Sequence, residues 1–371
     1  MAIPFVDLRP LHERLSQEIE AAMQEVVRSG WYLLGQQLEA FEAEYGAYHD
    51  GRYAVGVANG TDAIELALRA YDIQGEDEVI TVAHTAVATV LAIIRAGATP
   101  VLVDIDPRTM TIDPAAVEAA ITPRTRAIIP VHLYGQPANL NALVAIAEKH
   151  HLLLMEDCAQ AHGAKYNGQL VGTFGQIASF SFYPTKNLGA MGDGGAVVTS
   201  DPAIAERLRR LRFYGQVSRY DSLEMGMNSR LDEIHAATLR IKLRHLDQCN
   251  QERRAIAQQY TQTLQNLVLP YEQPEAYHVY HLYVVRHSQR DHLMAALKEQ
   301  QIGTLVHYPI PVHLQSAYHH LSYPEGSLPE TERAAKEVLS LPLSVGMNHA
   351  DVQTVAAALN AITQKEPLTH D

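Results

Sequence analysis

Two periods of apolar residues alternate along most of the chain. From about residue 54, short and nearly all-apolar runs occur in YAVGVANG, DEVITVAH, TPVLVDI, RAIIPVHL and LLLMED. Between these runs, apolar residues recur at helical spacing in TDAIELALRAYDI, TAVATVLAIIRAG, DPAAVEAAI and NLNALVAIAEKHH. Because strands buried on both faces are apolar throughout, this alternation predicts an α/β protein with a mainly parallel central sheet flanked by helices.

The two ends of the chain extend this α/β region. Residues 11–29 have the spacing of an N-terminal helix, and a charged helix is predicted in AIAERLRRLRFYG. A long helical stretch is predicted over roughly residues 231–267. The last part mixes a strand (HLYVVRH), a helix (DHLMAALKEQ) and a proline-rich turn (HYPIPVHL). We therefore predict a large domain over residues 1–245, including the N-terminal helix, and a smaller C-terminal α+β domain over residues 246–371.

Composition and charge narrow the class of protein. With 371 residues, 47% hydrophobic and 19% charged, the chain is typical of a globular protein with a large core. A formal net charge of −13 argues against a general binder of nucleic acid or anionic membranes. The start MAIPFVDLRPLHERL does not resemble a signal peptide, and no apolar run approaches the about 18 residues of a membrane span. Two cysteines, Cys158 and Cys249, suit a reducing compartment, and we expect a cytoplasmic protein.

Chemistry is expected directly after the apolar runs, since ligands of open α/β sheets bind at the carboxyl ends of the strands. Asn59-Gly60-Thr61 lies between a predicted strand and a predicted helix. The unpaired N–H groups of the helix N-terminus, the small Gly60 and the Thr61 hydroxyl suit a phosphate. The same residues also suit an ordinary helix cap, in which Thr61 or Asp62 serves the helix itself.

Two later strand ends carry further candidates. The run LLLMED ends in Asp157, and Gln160 follows three residues later. A carboxylate at this place holds a protonated ring nitrogen of a cofactor or, alternatively, caps the next turn. The stretch SFSFYPTKNLGAMGDGG carries Ser181, which can donate to a phosphate, and Lys186. A desolvated lysine can lose its proton and form a Schiff base with a carbonyl, whereas an ordinary loop lysine is solvated.

The order of these sites is more informative than any one of them. Asn228 and Arg230 precede the predicted long helix, where they serve a ligand or act as a cap and a surface charge. Along the chain, a phosphate cradle, a carboxylate for a pyridinium nitrogen and a lysine for an aldehyde follow one another. These are the three needs of pyridoxal 5′-phosphate (PLP).

Motifs from nearly the whole chain match one known family. They are PFVDL, NGTDAIELAL, PVLVDID, HLYGQPANL, EDCAQAHGA, SFYPTKNLGAMGDGGAVVT, NSRLDEIHAA, HYPIPVHLQSAY and ERAAKEVLSLPL. On these motifs the chain resembles the DegT/DnrJ/EryC1/StrS group of nucleotide-sugar aminotransferases. The resemblance implies a fold-type I PLP-dependent transferase.

The resemblance also implies roles for the catalytic candidates. Lys186 would form the Schiff base with PLP, and Asp157 would hold the pyridinium nitrogen. Gln160 would contact the ring or its hydroxyl. A protonated ring is the better electron sink, as transamination requires.

The same resemblance implies how the 5′-phosphate is held. Gly60, Thr61 and Ser181 would bind it within one subunit. A homodimer is implied as well, in which Asn228 reaches the phosphate of the cofactor bound to the other subunit. The active site would then lie at the dimer interface.

One position departs from the family pattern. Many members place an aromatic residue two positions after that of His84, where it stacks on the pyridoxal ring, and here that position is Ala86. Either His84 or Tyr183 supplies a ring nearby, or another group covers that face. Tyr183 alternatively binds substrate or packs beneath its loop.

The family acts on nucleotide-linked ketosugars, and L-glutamate is the expected amino donor. The stretches 214–220 and 307–313 most resemble members that aminate C3 of a dTDP-3-keto-6-deoxyhexose. The products would be a dTDP-3-amino-3,6-dideoxyhexose and 2-oxoglutarate. Arg219 is the candidate diphosphate partner, and His307 and Tyr308 are candidates for the sugar pocket. Each of these three residues equally suits a surface or packing role.

Other functions remain open at this point. An aminotransferase for C4 of a UDP- or dTDP-4-keto-6-deoxyhexose would use the same machinery. Sugar dehydratases of the family replace the reactive lysine with histidine, so Lys186 argues against them. A non-enzymatic regulator on the same fold is disfavoured by the intact Asp157, Gln160, Ser181 and Lys186.

The histidines do not predict a metal site. His307 with His313, and the adjacent pairs at 150–151 and 319–320, lack a third ligand at convincing spacing. We therefore expect no required metal.

Overall fold

A seven-stranded sheet forms the centre of the protein, whose computed structural model describes residues 2–364. In chain order, the strands of this sheet and of the smaller sheets are β1 (Tyr53–Val57), β2 (Glu78–Val82), β3 (Thr99–Val103), β4 (Thr125–Ile128), β5 (Leu153–Asp157), β6 (Lys165–Tyr166), β7 (Gln169–Leu170), β8 (Ile177–Ser181), β9 (Gly195–Thr199), β10 (Gln216–Ser218), β11 (Asp221–Ser222), β12 (Ala276–Tyr277), β13 (Tyr283–Arg286) and β14 (Val338–Leu341). The α-helices are α1 (Arg9–Ser29), α2 (Gln36–Tyr48), α3 (Gly60–Ala70), α4 (Val87–Arg95), α5 (Pro114–Ala120), α6 (Leu140–His150), α7 (Pro202–Leu211), α8 (Glu233–Arg244), α9 (Leu246–Thr263), α10 (Arg290–Glu299), α11 (Pro329–Glu337) and α12 (His349–Thr363). Short 3-10 helices lie at Leu133–Gly135, Val312–Leu314 and Ser316–Leu321.

The order of strands in the central sheet is β1-β9-β8-β5-β4-β2-β3. β9 runs antiparallel to both of its neighbours, β1 and β8, whereas the other neighbouring pairs are parallel. The prediction of a mainly parallel sheet is confirmed. Because β1, β2, β4, β5 and β8 all run in one direction, the residues that follow them meet at one edge of the sheet.

Helices cover both faces of this sheet, which explains why its strands are apolar throughout. Alternate residues of β1 point to opposite faces. Ala54 packs with α2 and α8, whereas Val55 and Val57 pack with α3 and α7. Every residue of β2 and β9 is buried.

A second core lies in the C-terminal region, where α9, α10 and α12 pack against β13 and β14. Its buried side chains include Tyr260, Leu293, Leu341 and Val355. This arrangement fits the small α+β domain, while the boundary near residue 245 stays a prediction. None of the helices in the described part of the chain is both long and apolar enough to cross a membrane.

Two features differ from the sequence expectation. The helical stretch expected over residues 231–267 is two helices, α8 and α9, because His245 between them adopts φ −106° and ψ 0°. Helix α2 was not predicted at all. The N–H groups of Gly35, Gln37 and Leu38 at its N-terminus donate to the Glu233 carboxylate at 2.8–2.9 Å. A capping group so distant in sequence leaves no local signal.

Candidate active site

A cavity of about 420 Å³ lies at the carboxyl edge of the central sheet. This volume is within the roughly 300–1,000 Å³ that is usual for small-molecule sites. The sequence-predicted residues that line it are Gly60, Thr61, Asp157, Gln160, Ser181, Tyr183, Lys186, His307 and Tyr308. The fold therefore brings together candidates that the sequence places on separate strand ends and in the C-terminal region.

The N-terminus of α3 forms one wall of the cavity. The side chain of Asn59 caps the helix, accepting a hydrogen bond from the N–H of Asp62 at 2.9 Å. Thr61 is therefore not the cap, and none of the hydrogen bonds formed within residues 2–364 uses the N–H of Gly60 or of Thr61. These unpaired donors at a helix N-terminus favour an anion.

Gly60 and Ser181 lie close together at this wall. A Cβ atom on Gly60 would stand 2.8 Å from Cβ of Ser181, so a larger residue would push the helix away from β8. The hydroxyl oxygen of Ser181 accepts a hydrogen bond from the N–H of Tyr183 at 3.4 Å, which leaves the hydroxyl proton free to donate. The helix N-terminus and the serine hydroxyl thus form one anion cradle.

Asp157 ends β5 and lies on the floor of the cavity, where it is 3% exposed. Its carboxylate accepts hydrogen bonds from the Thr89 hydroxyl at 2.8 Å and from the Ala159 N–H at 3.1 Å. Burial raises the pKa of Asp157, although these two donors and the charge of Lys186 act in the opposite direction. A buried carboxylate of this kind is strongly stabilised by a cationic partner.

The neighbouring Glu156 points away from the cavity and has a structural role. It accepts hydrogen bonds from the N–H groups of Gly172, Phe174 and Gly175, and it contacts Nε2 of His132 at 3.1 Å. Burial alone would raise the pKa of Glu156, but these hydrogen bonds lower it. The hydrogen bonds account for the close grouping of His132 and Glu156.

Lys186 is held in a short loop with both ends fixed. The Phe182 N–H donates to the Gly194 oxygen, and the Ala190 N–H donates to the Phe182 oxygen, each at 2.7 Å. The side-chain amide of the next residue, Asn187, donates a hydrogen bond at 3.0 Å to the backbone oxygen of Val279, which lies in the C-terminal region. These contacts fix the loop, and Lys186 lines the cavity.

Burial lowers the pKa of Lys186 to about 8, while the charge of Asp157 opposes the shift. With this pKa, roughly a tenth of the amine is neutral at pH 7, compared with a negligible fraction of an exposed lysine. A neutral amine is the form that attacks a carbonyl and that accepts a proton.

Gln160 is fixed by two tyrosines. Its side-chain oxygen accepts a hydrogen bond from the Tyr134 N–H at 2.7 Å, and its amide donates to the Tyr308 hydroxyl at 3.1 Å. Burial raises the pKa of Tyr308 to about 12, so its hydroxyl stays protonated at neutral pH. The hydroxyl of Tyr134 in turn contacts Nε2 of His84 at 2.8 Å.

The structure narrows the question of the ring that faces the cofactor. His84 is buried and is not among the residues that line the cavity, whereas Ala86 is. Of the two rings considered from the sequence, Tyr183 lines the cavity, with 52% of its surface exposed.

Some lining residues were missed by the sequence reasoning. Thr85, Ala88 and Thr89 follow β2, and Asp193 precedes β9. Thr85 and Thr89 lie after the apolar run of β2, which ends at the same edge of the sheet as β5.

Two predicted residues lie outside this cavity. Arg219 is exposed between β10 and β11, with its guanidinium 5.1 Å from the centre of the Tyr220 ring. Asn228 is exposed and forms an isolated bridge with Phe213. Within one subunit, neither side chain lines the site.

Comparison with known proteins gives this site a family. The model described as the DegT/DnrJ/EryC1/StrS aminotransferase family matches residues 13–360. The chain belongs to this family. The resemblance inferred from its motifs is confirmed.

Relatives of this aminotransferase span nearly its whole length. A dTDP-3-amino-3,4,6-trideoxy-alpha-D-glucose transaminase of Streptomyces venezuelae is 52% identical over 92% of this chain and 91% of the relative. A dTDP-3-amino-3,6-dideoxy-alpha-D-galactopyranose transaminase of Aneurinibacillus thermoaerophilus is 49% identical over 96% and 99% of the two chains. The crystal structure of S. venezuelae DesV in complex with a ketimine intermediate has a TM-score of 0.96 and 49% identity, over 98% of this chain and 99% of that one.

The protein is thus an enzyme, a PLP-dependent aminotransferase of fold-type I. The residues of the cavity fit this cofactor. The cradle at α3 suits the 5′-phosphate, the buried Asp157 suits a protonated ring nitrogen, and the buried Lys186 amine suits the aldehyde. The fit is clearest at Asp157, because a cationic ring nitrogen would stabilise the charged form of this buried carboxylate.

Proposed function

We propose that this aminotransferase moves the amino group of L-glutamate to the C3 ketone of a dTDP-3-keto-6-deoxyhexose. The products are 2-oxoglutarate and a dTDP-3-amino-3,6-dideoxyhexose. The observation that carries the proposal is a cavity with the three groups that PLP requires, in a chain about half identical to two transaminases named for dTDP-3-amino sugars.

Bound PLP supplies an electron-withdrawing ring that stabilises negative charge next to the amino-bearing carbon. In our proposal, Lys186 would hold the cofactor through its amine. The same Nζ would carry a proton to and from the α-carbon of the donor, a role for which a pKa of about 8 is well matched.

Asp157 keeps the ring nitrogen protonated in this scheme. A charge-assisted hydrogen bond of this type contributes roughly 1.5–3 kcal/mol, which raises the pKa of the nitrogen by about one to two units. Thr89 and the Ala159 N–H hold the carboxylate in place. Gly60, Thr61 and Ser181 would hold the 5′-phosphate, and Gln160 would contact the ring.

The sugar is proposed to lie against Tyr183, His307 and Tyr308. Nδ1 of His307 contacts the Ser340 hydroxyl at 2.8 Å. Burial, with a contribution from the charge of Lys186, lowers the pKa of His307 to about 4. His307 is therefore a neutral hydrogen-bonding group at neutral pH, which suits sugar hydroxyls better than a phosphate.

The proposal includes a homodimer. The segment 214–230 exposes Tyr214, Val217, Tyr220, Leu223 and Met225, and Trp31 and Tyr32 are also exposed. Apolar surface of this extent is typical of an interaction site. A second copy packed there would let Asn228 reach the phosphate of the neighbouring cofactor and Arg219 reach the diphosphate of the sugar nucleotide.

The test is a product analysis. The PLP-loaded enzyme is incubated with L-glutamate and a dTDP-3-keto-6-deoxyhexose, and the position of the new amine is read by NMR. We expect the amine at C3 and an equal amount of 2-oxoglutarate, with no product from Lys186→Ala. Preferential amination of a UDP- or dTDP-4-keto-6-deoxyhexose at C4 would contradict the proposal.

A further inference from the structure

Lys186 also lines a second and much smaller cavity. Its volume is about 20 Å³, and its polar lining includes Asp7, His12, Asn187, Lys242 and Arg253. A cavity of this size holds one water molecule or one species of similar size. None of the roles proposed above uses it.

Arg253 is the unusual member of this lining. It is 6% exposed, and it takes part in none of the hydrogen bonds or ion pairs found among residues 2–364. Arg212 and Arg290 are similarly buried, at 7% exposure each, yet both are paired. Arg212 donates to Glu42 and to the Gly56 oxygen, and Arg290 donates to Asp291 and to the Val338 oxygen.

Lys242 adds a second buried cation. It is 6% exposed, and its amine donates to the Gly189 oxygen at 2.7 Å and contacts Nε2 of His12 at 3.1 Å. Both contacts are with uncharged acceptors, since burial and the charge of Lys242 lower the pKa of His12. The carboxylate of the lining, Asp7, already pairs with Arg9 at 2.7 Å.

Glu252, the carboxylate whose charge acts on Arg253, pairs with Arg14 at 2.6 Å, so within residues 2–364 neither buried cation has a carboxylate partner of its own. Burial lowers the pKa of Arg253 to about 10 and that of Lys242 to about 8, so both remain largely charged at neutral pH. Leaving a buried charge without a partner of opposite sign is costly. A ligand of opposite charge would remove this cost.

We propose that this cavity is a binding site for a single halide ion, held by Arg253 and Lys242. The size of the cavity favours a monatomic anion and excludes sulfate, phosphate and carboxylic acids. Because Lys186 lines the same cavity, the ion would also stabilise the protonated form of its amine. Halide binding would thereby couple to the proton transfers of the neighbouring site.

Bromide crystallography tests the site directly. Crystals of the PLP-loaded enzyme grown in sodium bromide are measured at the bromine absorption edge. We expect an anomalous peak within hydrogen-bonding distance of the Arg253 guanidinium and the Lys242 amine. Density for water alone, with no anomalous peak in the cavity, would overturn the proposal.

A solution experiment adds an independent readout. The melting temperature is compared in chloride, bromide and sulfate at equal ionic strength. We expect both halides to raise it by about 2 °C or more over sulfate, and Arg253→Met to abolish that difference. Arg254→Met serves as the control, since Arg254 pairs with Glu272, and it should keep the halide effect. If Arg253→Met does not fold, Lys242→Gln replaces it and is expected to reduce the same difference in melting temperature. An unchanged halide effect in Arg253→Met or in Lys242→Gln would contradict the proposal.

Discussion

The cavity at the strand ends and the segment 214–230 differ in how far one chain alone assembles the residues proposed to bind ligands. The cavity brings the main cofactor-binding groups together within one chain, with Asp157 held by Thr89 and Lys186 held in a loop fixed at both ends. The segment 214–230 holds Arg219 and Asn228 outside that cavity, among exposed apolar side chains. Most of the cofactor half is therefore built by one chain, whereas the proposed contacts of Arg219 with the sugar nucleotide and of Asn228 with the cofactor phosphate need a second copy.

This difference follows from what each half must do. The cofactor stays bound through many cycles, so a rigid and buried site is an advantage for it. The sugar nucleotide must enter and leave in every cycle. A site completed at an interface suits such a ligand, because its polar groups stay accessible until the ligand arrives.

The largest effect is expected in the cofactor half. Replacing Lys186 with alanine removes both the covalent anchor and the proton carrier, and we expect turnover to fall by at least about 10⁴-fold. Initial rates of 2-oxoglutarate formation measure it. Lys336→Ala, which removes an amine that is 74% exposed, is the control and should keep full activity. Substantial turnover in Lys186→Ala would remove the lysine from the mechanism.

Asp157→Asn tests the electrostatic part of the same half. The substitution keeps the shape of the side chain but removes the negative charge, so the ring nitrogen loses its proton more readily. We expect kcat to fall by about 10²–10³-fold, within the range seen when one electrostatic group of an active site is removed. An unchanged kcat would show that Asp157 is only structural.

A mixing experiment compares the two halves directly. Asn228→Asp places a negative charge where the partner's phosphate is proposed to bind, and we expect it to weaken activity by about tenfold or more. When Lys186→Ala and Asn228→Asp are unfolded and refolded together, random assortment gives mixed dimers with one intact site of two. Activity should then recover to about a quarter of the wild-type value. No recovery would place Asn228 and Lys186 in the same subunit's site, or show that no such dimer forms.

Thr89 gives a smaller effect, since it acts through Asp157. Thr89→Val removes one hydrogen bond of 2.8 Å to that carboxylate, and we expect kcat to fall by about tenfold with KM little changed. Thr89→Ser keeps the hydroxyl and should retain most of the activity. Equal losses in both variants would point to packing rather than to the hydrogen bond.

The smallest effect concerns the pH at which the apoenzyme takes up the cofactor. Burial lowers the pKa of Lys186 to about 8, so the amine becomes neutral and reactive as the pH rises through 8. The rate of cofactor attachment should therefore increase between pH 7 and 9 and level off above that range. A rate that continues to rise toward pH 10.5 would show an ordinary lysine pKa.

The same two halves show how far the sequence could predict the molecule. The mainly parallel sheet and its strand-end residues were predictable, because short apolar runs and the groups that follow them are local features. The hydrogen bond from Thr89 to Asp157 was not predictable, since the two residues lie 68 positions apart and are brought together by packing. The capping of α2 by Glu233 was missed for the same reason. Nor does the sequence alone show which residues act across a subunit boundary. The contacts of Arg219 and Asn228 with ligands of a second subunit stay a prediction.

The central claim is that Lys186 carries the cofactor and that L-glutamate aminates it. The most direct measurement is the visible absorbance spectrum of the PLP-loaded enzyme before and after L-glutamate is added. We expect the long-wavelength band of lysine-bound PLP to disappear and the band of pyridoxamine 5′-phosphate to replace it. In Lys186→Ala, the lysine-bound band should be absent from the start. A wild-type spectrum without a lysine-bound band, or one identical to that of Lys186→Ala, would contradict the claim.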